Sequence, residues 1–423
     1  MRLVVQGGRL LDPGLAMDEL GDLLIEDGVI VSVGGDQPAE GALVVDARGT
    51  AVLPGLIDMH IHLRQPGQSH KETLSSGLLA AVRGGFTAVA AMPNTQPVID
   101  SPGAVLEIER QAAQLGLAHL HQLGAVSRKS LGEALADFAG YRAAGVVAVS
   151  DDGVPVAQAG LMRRALQHAQ AWGLVVVAHS EEPSLAEGGV ADDGPDAWAL
   201  GLPTQSASAE AAMVARDLVL AEETGGHLHV AHVSSRATVE LVRAAKARGV
   251  PVSAEVTPHH LLLTSAELPR LGTLAKMNPP LRSERDRLAL IEGLADGTID
   301  AVASDHAPHT QSEKASGWLA APFGVTGMET ALPMLVAGLV EKGALPLGRL
   351  IDAMSAAPAR ILGLPARQLA AGMAANLTLV DLLAPVSFSA ESLATLGKNC
   401  PFLDRPGLGR VLGVVVEGRW VAC

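Results

Sequence analysis

The chain has only two cysteines, Cys400 and Cys423, in 423 residues. Two thiols cannot build a disulfide framework or a cysteine-based zinc site. Positive charge is also in deficit: 31 Lys and Arg stand against 45 Asp and Glu, a formal net charge of −14. That excludes the basic face of a general nucleic-acid binder and the polybasic patch of a membrane-surface protein. No uncharged apolar run approaches the ~18 residues of a membrane span. The opening MRLVVQGGRLLDPG lacks the apolar stretch and small-residue cleavage site of a signal peptide. These absences point to a soluble, reducing, cytoplasmic setting. What is abundant is apolar: 48% of residues are hydrophobic and only 18% charged. Such a chain buries a large core and is not disordered. It also carries 14 histidines, and these need a reason.

Both ends of the chain read as strands. LVVQGGRLLD, DLLIEDGVIVSVG and ALVVDARGTAVL are short β-rich runs, with Asp27-Gly28 as a hairpin turn. ANLTLVDL and GRVLGVVVEGRWVA near the C-terminus look alike. This predicts one small β-sandwich domain formed by residues 1–53 and 366–423, around a different middle, 54–365. The middle alternates. Apolar runs at 56–62, 86–94, 117–127, 144–153, 174–182, 227–235, 250–260 and 299–309 are separated by helix-like segments, several ending in Gly. Eight β-then-α units imply a closed parallel (β/α)8 barrel of the TIM type.

In such a barrel, chemistry sits at the C-terminal ends of the strands. Polar residues gather where each apolar run stops: His60 and His62 after strand one, Asp151 and Asp152 after four, His179 after five, His232 after six and Asp305 after eight. A lone strand-end histidine is usually structural. Four histidines and the carboxylates of two strand ends at one barrel face form a donor set that suits zinc without any thiolate. Strand six carries three histidines, with His227 and His229 on one face and His232 on the other. Alternation alone does not choose between the faces. His70, His119, His121 and His168 suit solvated or core roles, while His259, His260 and His306 lie at the right end to support ligands.

The ordered motifs PGLIDMHIHLRQPG, GGFTAVAAMPNT, SDDG, AHSEE, HVAHVSS, EVTPHHLLLT, KMNPPLR, ASDHAPH, PFGVTGMETALP and KNCPF carry a resemblance. The chain resembles the amidohydrolase superfamily, and within it the longer, type I dihydroorotase family of bacteria, over essentially its whole length. His-x-His alone is weak; the ordered set is specific. The resemblance implies a zinc enzyme that reversibly cyclises N-carbamoyl-L-aspartate to dihydroorotate in pyrimidine biosynthesis. It implies that His60 and His62 hold one zinc, that His179 and His232 hold a second, and that Asp152 joins the two. It thereby selects His232 on strand six. Asp305 becomes both a metal ligand and the catalytic acid/base. Substrate-binding positions are His62, Leu63, Arg64, Asn94, Asn278, His309, Phe323 and Gly324. One or two zinc ions fit this pattern. The resemblance also suggests a homodimer, with possible association with aspartate carbamoyltransferase.

Two other functions compete. The first is a hydantoinase- or allantoinase-like hydrolase, since many superfamily members join two metals through a carboxylated Lys on strand four. No Lys occurs between Lys129 and Lys246, so that bridge is excluded here. The second is a silent subunit that only scaffolds aspartate carbamoyltransferase, yet every matched ligand is intact. Two departures are Gln65, where relatives often carry an acid, and Ser180, where many have Cys; both read as tuning. Residues 309–325 read as a long loop acting as a mobile lid, with the Phe323-Gly324 backbone against the substrate ring.

Overall fold

The computed structural model describes residues 1–423. Five strands precede the barrel: β1 (Arg2–Asp12), β2 (Met17–Glu26), β3 (Val29–Val33), β4 (Leu43–Asp46) and β5 (Ala51–Pro54). The barrel strands follow as β6 (Leu56–Ile61), β7 (Phe86–Ala91), β8 (His119–Gln122), β9 (Ala148–Ser150) and β10 (Val175–Ala178). A small parallel pair, β11 (Ala191–Asp192) and β12 (Thr204–Gln205), is an excursion. The barrel resumes with β13 (Leu228–Val230), β14 (Val252–Val256) and β15 (Ala301–Val302), and the chain ends in β16 (Leu377–Val386), β17 (Gly407–Val416) and β18 (Arg419–Ala422). No helix is long and apolar enough to cross a membrane.

The barrel closes. Parallel ladders run β6-β7-β8 and β9-β10-β13-β14-β15. Single parallel bridges join the two arcs at both seams, Gly124 to Val149 and Ile61 to His306. Side-chain alternation then divides the residues. Val89, Ala91, Val176, Val230 and Val256 pack outward into a 67-residue core beneath the helices. Their neighbours Met59, Ala90, Val177, Ala231 and Ala301 meet in a 12-residue core inside the barrel. Burial on both faces is why these strands read as unbroken apolar runs.

The ladders are shorter than the apolar runs. The expected strand at 144–153 pairs only over Ala148–Ser150, and that at 299–309 only over Ala301–Val302. Beyond the last pairing the backbone turns to aim side chains instead of continuing the sheet. His232 and Asp305 lie there with φ of 34° and 45°, as does Arg64 with φ of 57°. Non-glycine residues in the left-handed region cost about 1–3 kcal/mol each and persist where function requires them. The third unit has a four-residue strand and a helix of six residues, Phe138–Ala143.

The chain ends combine as expected from their composition. They form a mixed eight-stranded sheet ordered β18-β17-β16-β5-β1-β2-β3, with β4 paired to β1. Leu3, Leu23, Ile25, Val52, Leu377, Leu379 and Val415 share one 14-residue core drawn from both termini. Fully buried Thr378 links this sheet to the barrel: its hydroxyl donates to the Gly85 carbonyl at 2.7 Å and accepts from the Leu56 N–H at 3.2 Å. Thr378→Val keeps the volume but strands both backbone groups. It is expected to cost about 1–3 kcal/mol of stability, seen as a lower urea midpoint; an unchanged midpoint would show that this joint contributes nothing.

Candidate metal centre and substrate pocket

The strand-end residues converge on one point. Asp152 Oδ1 lies 3.4 Å from His60 Nε2, 3.7 Å from His179 Nδ1 and 3.5 Å from His232 Nε2, while Oδ2 lies 3.5 Å from His62 Nε2. Asp305 Oδ1 completes the group, 3.1 Å from His62 Nε2 and 3.7 Å from His60 Nε2. All six residues are buried. His179 Nδ1 and His232 Nε2 approach each other to 2.9 Å. Two triads have donor atoms close enough to share an ion: His60, His62 and Asp305, and His60, Asp152 and His232.

The donors fit a metal on their own chemistry. His60 Nε2 and Asp152 Oδ1 are buried with no hydrogen-bond partner, and orphaned buried polar atoms are rare unless something else satisfies them. Burial opposes ionisation of Asp152 and Asp305, but the surrounding imidazoles outweigh it and hold both well below the usual carboxylate range. Burial likewise opposes protonation of His60, yet Asp152 and Glu255 raise its pKa well above the ordinary value. A site that attracts protons this strongly also attracts a divalent cation.

Each ligand is oriented from behind. The His60 Nδ1–H donates to Glu255 Oε1 at 2.6 Å, and the His62 Nδ1–H to Asn94 Oδ1 at 2.9 Å. Both leave Nε2 to face the centre, the arrangement by which an outer acceptor fixes a ligand's tautomer. Asp58 Oδ1 accepts from the backbone N–H groups of His60 and Ser304 and so ties β6 to the end of β15. Burial raises Asp58 to about 6.

The structure also separates near-identical candidates. Asp151 turns away and accepts from the Ser127 N–H and hydroxyl, leaving Asp152 at the centre. On β13, His229 points into the barrel and joins His227 Nε2, Ser253 Oγ and Glu255 in a buried polar chain, at 2.8, 2.8 and 3.2 Å. His232 alone of the three reaches the centre.

Above the donors lies a cavity of about 180 Å³. His62, Arg64, Asn94, Asn278, His309, Phe323 and Gly324 all line it. Leu63 does not line it; its side chain belongs to the outer barrel core, because adjacent residues at a strand end point to opposite sides. Arg64 is buried, and desolvation lowers its pKa to about 10, so it stays cationic at neutral pH. His309 Nδ1 faces the Lys71 ammonium at 3.5 Å, and Nε2 lies 3.2 Å from Arg64 Nη2 and 2.8 Å from the Phe323 carbonyl; the shorter contact, to a pure acceptor, puts the proton on Nε2. Burial, with Arg64 and Lys71 nearby, lowers His309 to about 3, which keeps it neutral.

Asn278 Nδ2 donates to Glu181 Oε2 at 2.5 Å, and its Oδ1 is left unpartnered. Burial raises the Glu181 carboxyl, but His179 and Asn278 outweigh it and bring it to about 2. Sequence reasoning missed Glu255, Asp58 and Glu181 as site residues. The first two were visible as single carboxylates inside the apolar runs VSAEV and LIDMHI; Glu181 had no such signal.

The backbone around Phe323-Gly324 differs from expectation. The Gly324 N–H donates to the Lys276 carbonyl at 3.0 Å, and its carbonyl accepts from Asn399 at 3.1 Å. These groups are already engaged, so Gly324 offers the pocket only its missing side chain. A Cβ there would sit 2.7 Å from Ala307 Cβ and 3.3 Å from His309 Nε2, at φ +119°. The 309–325 segment is also built rather than free: it holds a short helix, Gln311–Lys314, capped by Thr310 and Glu313. Of the two departures, Gln65 accepts from the Leu74 N–H at the start of a helix, and Ser180 Oγ is buried without a partner.

Comparisons with known proteins identify the family and the fold. Residues 49–238 match the family model described as dihydro-orotase-like. The chain is 47% identical over 421 residues to a dihydroorotase of Pelotomaculum thermopropionicum, covering 100% of this chain and 98% of the relative. It is 47% identical over 423 residues to a dihydroorotase of Anaeromyxobacter dehalogenans, covering 99% and 97%. Among solved structures, L-hydantoinase (dihydropyrimidinase) from Arthrobacter aurescens superposes with a TM-score of 0.89 at 29% identity, covering 99% of this chain and 96% of that one. Dihydropyrimidinase from Brevibacillus agri gives 0.86 at 23% identity, covering 100% and 95%, and so speaks for the fold alone.

If Glu255 fixes His60 as a ligand, Glu255→Gln weakens metal binding by about 10–100-fold without unfolding the chain. Competition with a chelator measures this; unaltered affinity would remove Glu255 from the site.

Proposed function

The chain belongs to the dihydroorotase family, cyclic amidohydrolases of pyrimidine biosynthesis that interconvert N-carbamoyl-L-aspartate and dihydroorotate, and on that premise we propose how its residues divide the reaction. His60, His62 and Asp305 would hold one divalent metal and His179 and His232 a second, with Asp152 available to both. The metal is zinc, because four imidazoles and two carboxylates without thiolate match its ligand preferences. The observation that carries this reading is the Asp152 carboxylate within 3.7 Å of all four imidazoles, beside a pocket holding a buried cation, Arg64.

A divalent metal bound there supplies Lewis acidity, lowering the pKa of an attacking water and polarising the amide carbonyl. Asp305 takes the proton of that water and returns it to the departing ring nitrogen. In the biosynthetic direction it runs these transfers in reverse, and ring closure expels water. Asp305 Oδ1 lies 3.1 Å from His62 Nε2 and the residue lines the pocket, which gives a proton a short path to either partner.

Arg64 and Asn94 bind the substrate carboxylate. Arg64 offers a planar guanidinium; its Nε is engaged by the Pro308 carbonyl at 3.2 Å and its Nη2 lies 3.2 Å from His309 Nε2, which leaves Nη1 for the ligand. Asn94 uses Oδ1 on His62, so Nδ2 is free to donate. The unpartnered Asn278 Oδ1 accepts from a ring N–H. His309 aligns Phe323 against the ring through its carbonyl. A homodimer, alone or with aspartate carbamoyltransferase, rests on the family resemblance.

The hydantoinase likeness of the fold supports a second reading, action on other cyclic amides. The Asp152 position and the absence of Lys on β9 argue against it, as does a carboxylate clamp that hydantoin and allantoin would leave empty. Side-by-side assays should show turnover of dihydroorotate and little of hydantoin or allantoin; the opposite preference would displace the assignment. Asp305→Ala is expected to lower kcat by at least about 10²-fold while the fold persists, and near-normal turnover would end its proton-transfer role. Protein purified without chelator should contain zinc, and full turnover by metal-stripped protein would overturn the metal assignment.

A further inference from the structure

Lys314 is a buried lysine that the reaction leaves unused; burial, with Lys276 nearby, pulls its pKa down to about 7, while three carbonyl contacts favour the charged form. Its side chain is only 3% exposed. No carboxylate pairs with it: the adjacent Glu313 is bound by Lys71 at 2.9 Å. Instead Lys314 Nζ donates to three backbone carbonyls, those of Lys276, Pro322 and Gly324, each at 3.0 Å. An ammonium has three divergent donors and no acceptor, so no other side chain serves three carbonyls from one atom.

The three carbonyls come from two segments. Lys276 lies two residues before Asn278, while Pro322 and Gly324 flank Phe323. The contacts are reciprocal. The Gly324 N–H donates back to the same Lys276 carbonyl at 3.0 Å, Lys276 Nζ donates to the Trp318 carbonyl at 2.6 Å, and that ammonium sits 4.6 Å over the Phe323 ring. Two lysines thus stitch the segment carrying Asn278 to the one carrying Phe323 and Gly324, all three of which line the pocket.

We propose that Lys314 is a positioning residue: it fixes the Asn278 wall and the Phe323-Gly324 wall of the substrate pocket at one separation. The inference rests on the assignment of those walls to substrate. Lys314 lies apart from the metal donors, so its loss disturbs binding rather than chemistry. Burying an ammonium is costly unless its hydrogens are all satisfied. Three short carbonyl contacts meet that condition only while both segments hold their places, so the cation penalises any opening of the gap.

The test is steady-state kinetics on Lys314→Met, which keeps the chain length and removes the donors. KM for dihydroorotate is expected to rise by about tenfold or more while kcat stays within about threefold, with metal content equal to wild type. An unchanged KM overturns the clamp. So does a parallel loss of kcat and metal, which would mark a general folding role. Should Lys314→Met fail to fold, Lys314→Gln decides, since its amide restores part of the donor set: an intermediate KM supports the clamp and a wild-type KM rejects it. Asn278→Ala separates the two levels. A raised KM there beside a wild-type KM in Lys314→Met rejects the clamp alone, whereas wild-type KM in Asn278→Ala rejects the pocket assignment beneath it.

Discussion

The interaction on which the rest depends is that between the Asp152 carboxylate and four imidazoles at the mouth of the barrel. A buried carboxylate is expensive unless opposite charge or hydrogen bonds compensate it. No arginine or lysine forms an ion pair with Asp152; its direct neighbours are imidazoles at the ends of β6, β10 and β13, close to the second carboxylate, Asp305. The Asp152 charge is balanced either by protons on those rings or by a divalent cation held among them. Residues from five strands meet within a few ångströms only because the barrel closes, so the two single-bridge seams are part of the site's architecture.

Closure also explains the layer behind the ligands. Inward-facing positions on β13 and β14 are His229, Ser253 and Glu255, polar residues where the other strands place Ala, Val and Met. They do not touch the pocket. They spend barrel-core volume on a hydrogen-bonded chain that ends at His60 Nδ1. An unsatisfied member would cost about 1–3 kcal/mol, so the chain is self-consistent only when complete. Asn94 serves His62 likewise, but from a loop, and keeps its other end for the pocket.

Much of this was legible in the amino-acid order, for identifiable reasons. The barrel showed as eight apolar runs because both strand faces are buried, and the ligands showed because polar residues interrupt those runs at their C-terminal ends. Composition alone could not choose among His227, His229 and His232, or between Asp151 and Asp152, since such choices depend on where the ladder stops and the backbone turns. His232, at φ 34°, lies past the last paired residue of β13, so period-two alternation does not extend to it. Leu63 and the Gly324 backbone were misjudged for a related reason: a motif marks a neighbourhood, whereas pocket access depends on direction and on which hydrogen bonds are already made. Glu181 was silent because its role, holding Asn278, exists only across a separation of 97 residues.

The net charge of −14 is at odds with an anionic substrate only if charge is averaged over the chain. With metal ions held at the site, the pocket would reverse the sign locally. Arg64 keeps its proton despite burial, His309 is kept neutral, and the carboxylates nearest the cavity face the metal donors or, like Glu181, are committed to hydrogen bonds. Field lines in a narrow low-dielectric cavity are set by the nearest fixed charges, while distant surface charges are screened within about 8–10 Å at physiological salt. The two sides of the site accordingly solve different problems. The metal side is carried by strand ends, whose positions the ladders set. The substrate side is carried by loops, which have no ladder, and there buried side chains such as Asn399 and Lys314 bind backbone carbonyls in its place.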